Sequence, residues 1–255
     1  MSLREGSMPF APLIGCSLYY EVTGEGPPIV FAHGAGGNHV IWYQQVAYFS
    51  DRYRCITFDH RSYGQSVDES GEGWPAYPRD IEGLLDHLQI PSTFLVAQSM
   101  GGFSCFPFAA HRPERVRKLV MADTCLGVDD ALGEEVNRNR AAWGMEGIGG
   151  FTREYRETQQ TSFFLYLQIA GLNRPQVPVP PKTSVTAADL AAFKVPTLFL
   201  VGSADYLVTP EITLRAQALV PGSKYTLVRG PGHSVYWEEP AIFNHIVESF
   251  FEDGQ

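Results

Sequence analysis

The chain has 255 residues, enough for one large domain or two small ones and for a full hydrophobic core without disulfide or metal support. Hydrophobic residues make up 44% and charged residues 18%, which excludes a disordered, collagen-like or coiled-coil chain. Nineteen Lys and Arg stand against 28 Asp and Glu, and the net charge of −9 argues against nucleic acid and anionic membranes as partners, since both demand clustered cations.

From the amino terminus, no apolar segment resembles a secretory signal, and no later run approaches eighteen uninterrupted apolar residues. A cytoplasmic location is the expectation. Tyr19-Tyr20-Glu21-Val22, preceded by Leu13-Ile14, reads as an opening strand or hairpin ending at Gly24-Glu25-Gly26-Pro27. Short β-rich runs then recur at Ile29–Ala32, Cys55–Phe58, Phe94–Ala97, Leu119–Ala122, Thr197–Val201 and Tyr225–Val228. They do not alternate, which is how strands buried on both faces of a parallel sheet read.

Helical patterns separate the runs. Ile81, Leu84, Leu85 and Leu88 keep amphipathic spacing ahead of Pro91, and Phe243, Ile246, Val247 and Phe250 repeat it after Pro240. Strands alternating with helices predict an α/β fold with right-handed crossovers. From Leu126 to Leu190 the rhythm breaks, and the patterns are helical and aromatic. This segment is expected to be a helical cap over residues 126–190, inserted between core segments 1–125 and 191–255. The stiff run Arg174–Pro181 forms its return arm. Cys16, Cys55, Cys105 and Cys125 sit apart in apolar surroundings and read as reduced core thiols. Neither they nor the seven histidines keep zinc-ligand spacing.

Four strand ends carry chemistry. Val96-Ala97-Gln98-Ser99-Met100-Gly101-Gly102 follows a strand and opens a helix, so the turn lifts the Ser99 hydroxyl out of the sheet. Ala97 stands where the G-x-S-x-G pattern has its first glycine. His33-Gly34-Ala35-Gly36-Gly37 follows another strand and can aim a backbone N–H inward, opposite the one from Met100. Asp205 ends Val201-Gly202-Ser203-Ala204-Asp205, and His233 ends Gly230-Pro231-Gly232-His233. Singly, each has a bland reading as a turn, a cap or a structural hydrogen bonder. Together, Ser99, Asp205 and His233 give the order serine, acid, histidine at the ends of separate strands.

With these motifs the sequence resembles an α/β-hydrolase of the capped, cofactor-free type. Asp59-His60-Arg61-Ser62-Tyr63-Gly64-Gln65-Ser66 is similar to the family's D-x-R-G-x-G-x-S loop, with Ser62 in place of glycine. The resemblance implies an α/β-hydrolase fold: a mostly parallel sheet, helices on both faces and a small cap. It implies Ser99 as nucleophile, His233 as base, Asp205 as acid, and Ala35 and Met100 as oxyanion donors, with no cofactor and no metal.

Asp123 also ends a strand and is the rival acid. The glycine ahead of Asp205 and the neighbouring strand leading to His233 favour Asp205. Asp59 and Arg61 are expected to stabilise a turn, and His60, His87, His111 and His245 to lie at the surface or at caps. His39 is close enough in sequence to reach the pocket, although the bland reading is favoured. Trp143 and Phe164, with Phe151, Phe163, Tyr166 and Leu167, are candidates for an apolar substrate wall or for the cap's own core. The substrate expected is a small or medium carboxylic ester or lactone. A C–C hydrolase of ring-cleavage products is the alternative, for which Arg138, Arg140, Arg153, Arg156 and Arg174 are candidate cations. A non-catalytic receptor ranks third. Oligomeric state stays open, homo-oligomers included.

Overall fold

The computed structural model describes residues 9–143, 150–173 and 182–253. In chain order the strands are β1 (Phe10–Leu13), β2 (Cys16–Thr23), β3 (Pro28–Ala32), β4 (Arg54–Phe58), β5 (Val67–Asp68), β6 (Thr93–Gln98), β7 (Val116–Ala122), β8 (Thr197–Gly202) and β9 (Lys224–Val228). They run in the order β1-β2-β4-β3-β6-β7-β8-β9, with β5 paired to β2. β1, β2 and β5 pair antiparallel, and β2 also meets β4 antiparallel. Every pairing from β4 through β9 is parallel. All six sequence runs are strands.

The helices are α1 (Tyr43–Phe49), α2 (Tyr77–His87), α3 (Gly102–His111), α4 (Asp130–Trp143), α5 (Arg153–Thr158), α6 (Gln160–Gly171), α7 (Ala187–Ala192), α8 (Pro210–Ala218), α9 (Val235–Glu238) and α10 (Pro240–Glu252). The central strands divide their side chains between two cores. Val30, Ala32, Leu95, Ala97, Leu119 and Met121 face a cluster that includes Leu84 of α2, Phe106 of α3 and Ile212 of α8. Ile29, Phe31, Phe94, Val96, Val120 and Ala122 face another, with Phe49 of α1 and Phe243 and Val247 of α10. Both faces being covered explains the unbroken apolar runs.

α4 to α7 lie between β7 and β8, and no strand occurs among the described residues of that interval. Their buried side chains belong to the two sheet clusters. Leu132 and Val136 join the first, and Phe151, Tyr166 and Ile169 join the second. The run Arg174–Pro181 lies outside the described residues. The four cysteines are free and buried, and burial pushes each thiol up to about 12. No helix among the described residues is long and apolar enough to cross a membrane.

Candidate active site

Ser99 stands at the carboxyl end of β6, in a single 3-10 turn that leads into α3. Its φ of +48° is left-handed, a conformation that costs a serine energy and persists only when its surroundings impose it. Two residues on, any Cβ on Gly101 would run into the backbone carbonyl of Ala32 on β3, so the turn packs directly against that strand. Ala97 is fully buried and in register with Ala32 and Met121, so the sheet accommodates the extra methyl group.

β8 and β9 bring the other two groups to the same edge. Asp205 follows β8, and its Oδ1 accepts from the backbone N–H groups of Leu207 and Val208, both at 2.9 Å. Its Oδ2 lies 2.8 Å from His233 Nδ1, and His233 Nε2 lies 2.9 Å from Ser99 Oγ. The carboxylate can only accept, so the shared proton belongs on Nδ1. The Nε2 lone pair is then free to take the serine proton. Burial works against charge on His233. The Asp205 carboxylate and its hydrogen bond, helped by Asp123, outweigh burial and raise the imidazole above its ordinary value.

The loop after β3 closes the opposite side. His33 is buried: its Nδ1–H donates to Gly34 O at 2.8 Å, and its Nε2 accepts the His60 N–H at 2.9 Å. Ala35 packs beside the cluster of Met100, Tyr63 and Tyr77, so the two expected oxyanion residues are neighbours. Tyr166 of α6 reaches down over this loop. A Cβ built on Gly36 would lie 2.5 Å from its hydroxyl.

Several expectations need correction. His60 is neither at the surface nor a cap. It is buried, its Nε2 lies 3.0 Å from Ser104 Oγ, and burial pulls its pKa well below the ordinary range. For His39 the contacts are structural, the reading favoured from the sequence. Its backbone N–H and its Nδ1 both meet Asp59 Oδ1 at 2.7 Å, which ties the loop after β3 to the loop after β4. Phe164 is 62% exposed. The inward face of α6 carries Phe163, Tyr166 and Ile169, and Phe164 is out of phase with it. The Trp143 side chain lies outside the described residues.

Arg61 behaves as a turn stabiliser. It is fully buried, and its Nε and Nη2 hold the two Asp80 carboxylate oxygens at 2.7 and 2.6 Å. Asp123 is not in contact with His233 Nδ1; it accepts from backbone instead, Gly202 N–H on Oδ1 and Val235 N–H on Oδ2, each at 3.1 Å. Two partners went unread in the sequence. Gln98 Nε2 donates to His233 O at 2.9 Å, and Gly150 O accepts the His233 N–H at 2.8 Å. Gln98 sits inside the serine motif and could have been examined for that reason. Nothing in the sequence near Gly150 signals its contact.

The sequence profile described as the alpha/beta hydrolase fold matches residues 27–189. The chain belongs to the alpha/beta hydrolase family. A 3-oxoadipate enol-lactonase of Acinetobacter baylyi is 34% identical over 125 residues, and that match spans 45% of this chain and 44% of the lactonase. Among solved structures, an N-acyl homoserine lactone degrading enzyme superposes with a TM-score of 0.82 at 24% identity, covering 95% of this chain and all of that one. The enol-lactonase of Burkholderia xenovorans superposes at 0.78 with 21% identity, over 96% of this chain and all of its own. At these identities the structural likeness speaks for the alpha/beta hydrolase fold.

Proposed function

We propose that this alpha/beta hydrolase cleaves small or medium carboxylic esters, lactones included, through an acyl-enzyme on Ser99. The observation that carries the reading is the continuous hydrogen-bonded line from Ser99 Oγ through His233 to Asp205. Ser99 Oγ attacks the carbonyl carbon as its proton passes to His233 Nε2. The backbone N–H groups of Met100 and Ala35 receive the oxyanion, and a single donor of this kind contributes roughly 3 kcal/mol to the barrier. Collapse breaks the ester C–O bond, and the leaving oxygen takes the proton from Nε2. Water then attacks the acyl-enzyme, again losing its proton to Nε2, and the acid departs with Ser99 restored. Asp205 keeps its charge throughout and stabilises the imidazolium. No cofactor or metal enters this scheme.

Substrate class is supported by the lactone substrates named for the relatives. Residues 126–190 act in this reading as a cap, because Tyr166 and the Gly150 carbonyl reach the oxyanion loop and the His233 loop. The test is a turnover screen with p-nitrophenyl esters of rising chain length, lactones and a ring-cleavage dienoate. It runs beside fluorophosphonate labelling of the parent and of Ser99→Ala. Ester or lactone turnover, with one label on the Ser99 peptide that vanishes in the variant, is the expected result. Fast dienoate cleavage with feeble ester turnover would replace the reading with a C–C hydrolase. No label and no turnover would leave a receptor.

A further inference from the structure

Asp123 sits at the end of β7, the strand between those that carry Ser99 and Asp205. It is fully buried, and its φ of +49° is left-handed. A buried carboxyl group in strained backbone is costly, so its contacts deserve an account. Its N–H donates to Leu200 O at 2.8 Å, which fixes it against β8. One oxygen accepts from Gly202, three residues before Asp205, and the other from Val235, two residues after His233. The next side chain, Thr124, donates through Oγ1 to Ser99 O at 2.7 Å. The pair Asp123-Thr124 thus touches the end of β8 ahead of Asp205, the start of α9 behind His233, and Ser99 itself.

We infer that Asp123 is a positioning residue: its carboxyl group ties the end of β8, which leads to Asp205, to the start of α9, which follows His233, and so fixes where the His233 imidazole stands. The proposal rests on the hydrolase reading for its kinetic consequence, but not for its geometry. A single carboxyl group with one oxygen on the end of β8 and the other on the start of α9 sets their separation directly, whereas an apolar residue would leave two buried N–H groups unpaired. Asparagine keeps one acceptor and loses the other. Alanine loses both.

Asp123→Ala, Asp123→Asn and Asp205→Asn are compared with the parent, each shown to be folded by circular dichroism. The first readout is turnover of p-nitrophenyl acetate. The expected result is a kcat about 10²-fold lower in Asp123→Ala, with KM changed less than about twofold, and partial recovery in Asp123→Asn. Asp205→Asn is expected to lose about 10⁴-fold. The second readout needs no substrate: the low-field proton NMR signal of His233 Nδ1–H on Asp205. It should stay sharp in the parent, broaden or vanish in Asp123→Ala and return in part in Asp123→Asn. If Asp123→Ala fails to fold, the Asn variant decides by the same two measurements. An unchanged kcat and an unchanged low-field proton in either folded variant would reduce Asp123 to a purely structural residue and overturn the proposal. A loss in Asp123→Asn as deep as in Asp205→Asn would also overturn it, by making Asp123 an acid in its own right. Should the parent hydrolyse no ester, the hydrolase reading falls alone and the NMR signal still judges the clamp.

Discussion

Gln98 donates from Nε2 to the carbonyl oxygen of His233 at 2.9 Å, so the residue just before Ser99 holds the loop that carries His233. Gly150 takes the N–H of the same histidine, and Asp123 takes the N–H of Val235. The His233 loop is therefore gripped from β6, from β7 and from the segment between β7 and β8.

Gln98→Leu keeps the volume and removes the donor. It leaves His233 O buried without its partner, which should cost about 1–3 kcal/mol of stability. Turnover should fall roughly 10- to 100-fold, because the imidazole is no longer held at hydrogen-bonding range of Ser99. Steady-state kinetics beside a urea titration measures both. Stability lost with kcat intact would show that Gln98 supports the fold but not the chemistry.

The pH dependence follows from His233. Burial lowers its pKa, yet Asp205, with Asp123 in support and Arg140 opposing, leaves it above the ordinary imidazole value. The base must be neutral to accept from Ser99, so kcat/KM should fall as pH drops through a midpoint above 6.5. An unperturbed imidazole would put the midpoint at about 6.5. A profile measured from acid to alkaline pH distinguishes the two, and a midpoint at or below that of free histidine would contradict the structure.

Acyl-chain preference should respond to Tyr166 and not to Phe164. Tyr166 is 6% exposed and overhangs Gly36, next to the expected oxyanion donor Ala35, whereas Phe164 points away from the core clusters. Tyr166→Leu should shift preference toward longer acyl groups, and Phe164→Ala should leave the chain-length profile unaltered. Rates across a p-nitrophenyl ester series provide the comparison, with a shift in Phe164→Ala counting against this assignment.

A stability prediction concerns the end of α2. Gln89 is exposed, with φ of +55°, and the turn is closed by Gln89 N–H to Asp86 O and Ile90 N–H to Leu85 O. Glycine takes this left-handed position without the Cβ penalty, so Gln89→Gly should stabilise by about 1 kcal/mol. In a chain of this size that raises Tm by roughly 2–4 °C. A thermal melt showing a lower Tm would refute it.

The central strands were legible because burial on both faces leaves unbroken apolar runs, and the candidate site was legible because Ser99, Asp205 and His233 follow the carboxyl ends of strands. β9 was read as another buried run, yet it is the sheet's last strand, and Leu227 on it is 43% exposed. Sequence could not place that edge, since strand order is set by crossovers between distant segments. His60 escaped for a similar reason. Its neighbours Asp59, Arg61 and Ser62 look like a solvated loop, but Ser104, 44 residues on, and the rings of Phe58 and Tyr77 enclose it. Ser62 shows the converse. It replaces the glycine usual in its loop and adopts φ of +69°, so the glycine preference was a statement about backbone conformation. Asp123 was recognised at a strand end, but its two backbone partners, at the end of β8 and the start of α9, lie 79 and 112 residues away.

Ser99 and His233 are 134 residues apart in sequence and meet only across β6, β7, β8 and β9. Helices and the amino-terminal hairpin are made of local contacts and can form early in refolding, while the parallel pairings of β8 with β7 and β9 must close long loops first. No fragment holding two of the three groups can hydrolyse anything by this route. Recovery of turnover after dilution from denaturant should therefore lag the far-ultraviolet dichroism, making catalysis a clock for the last long-range pairing of the sheet.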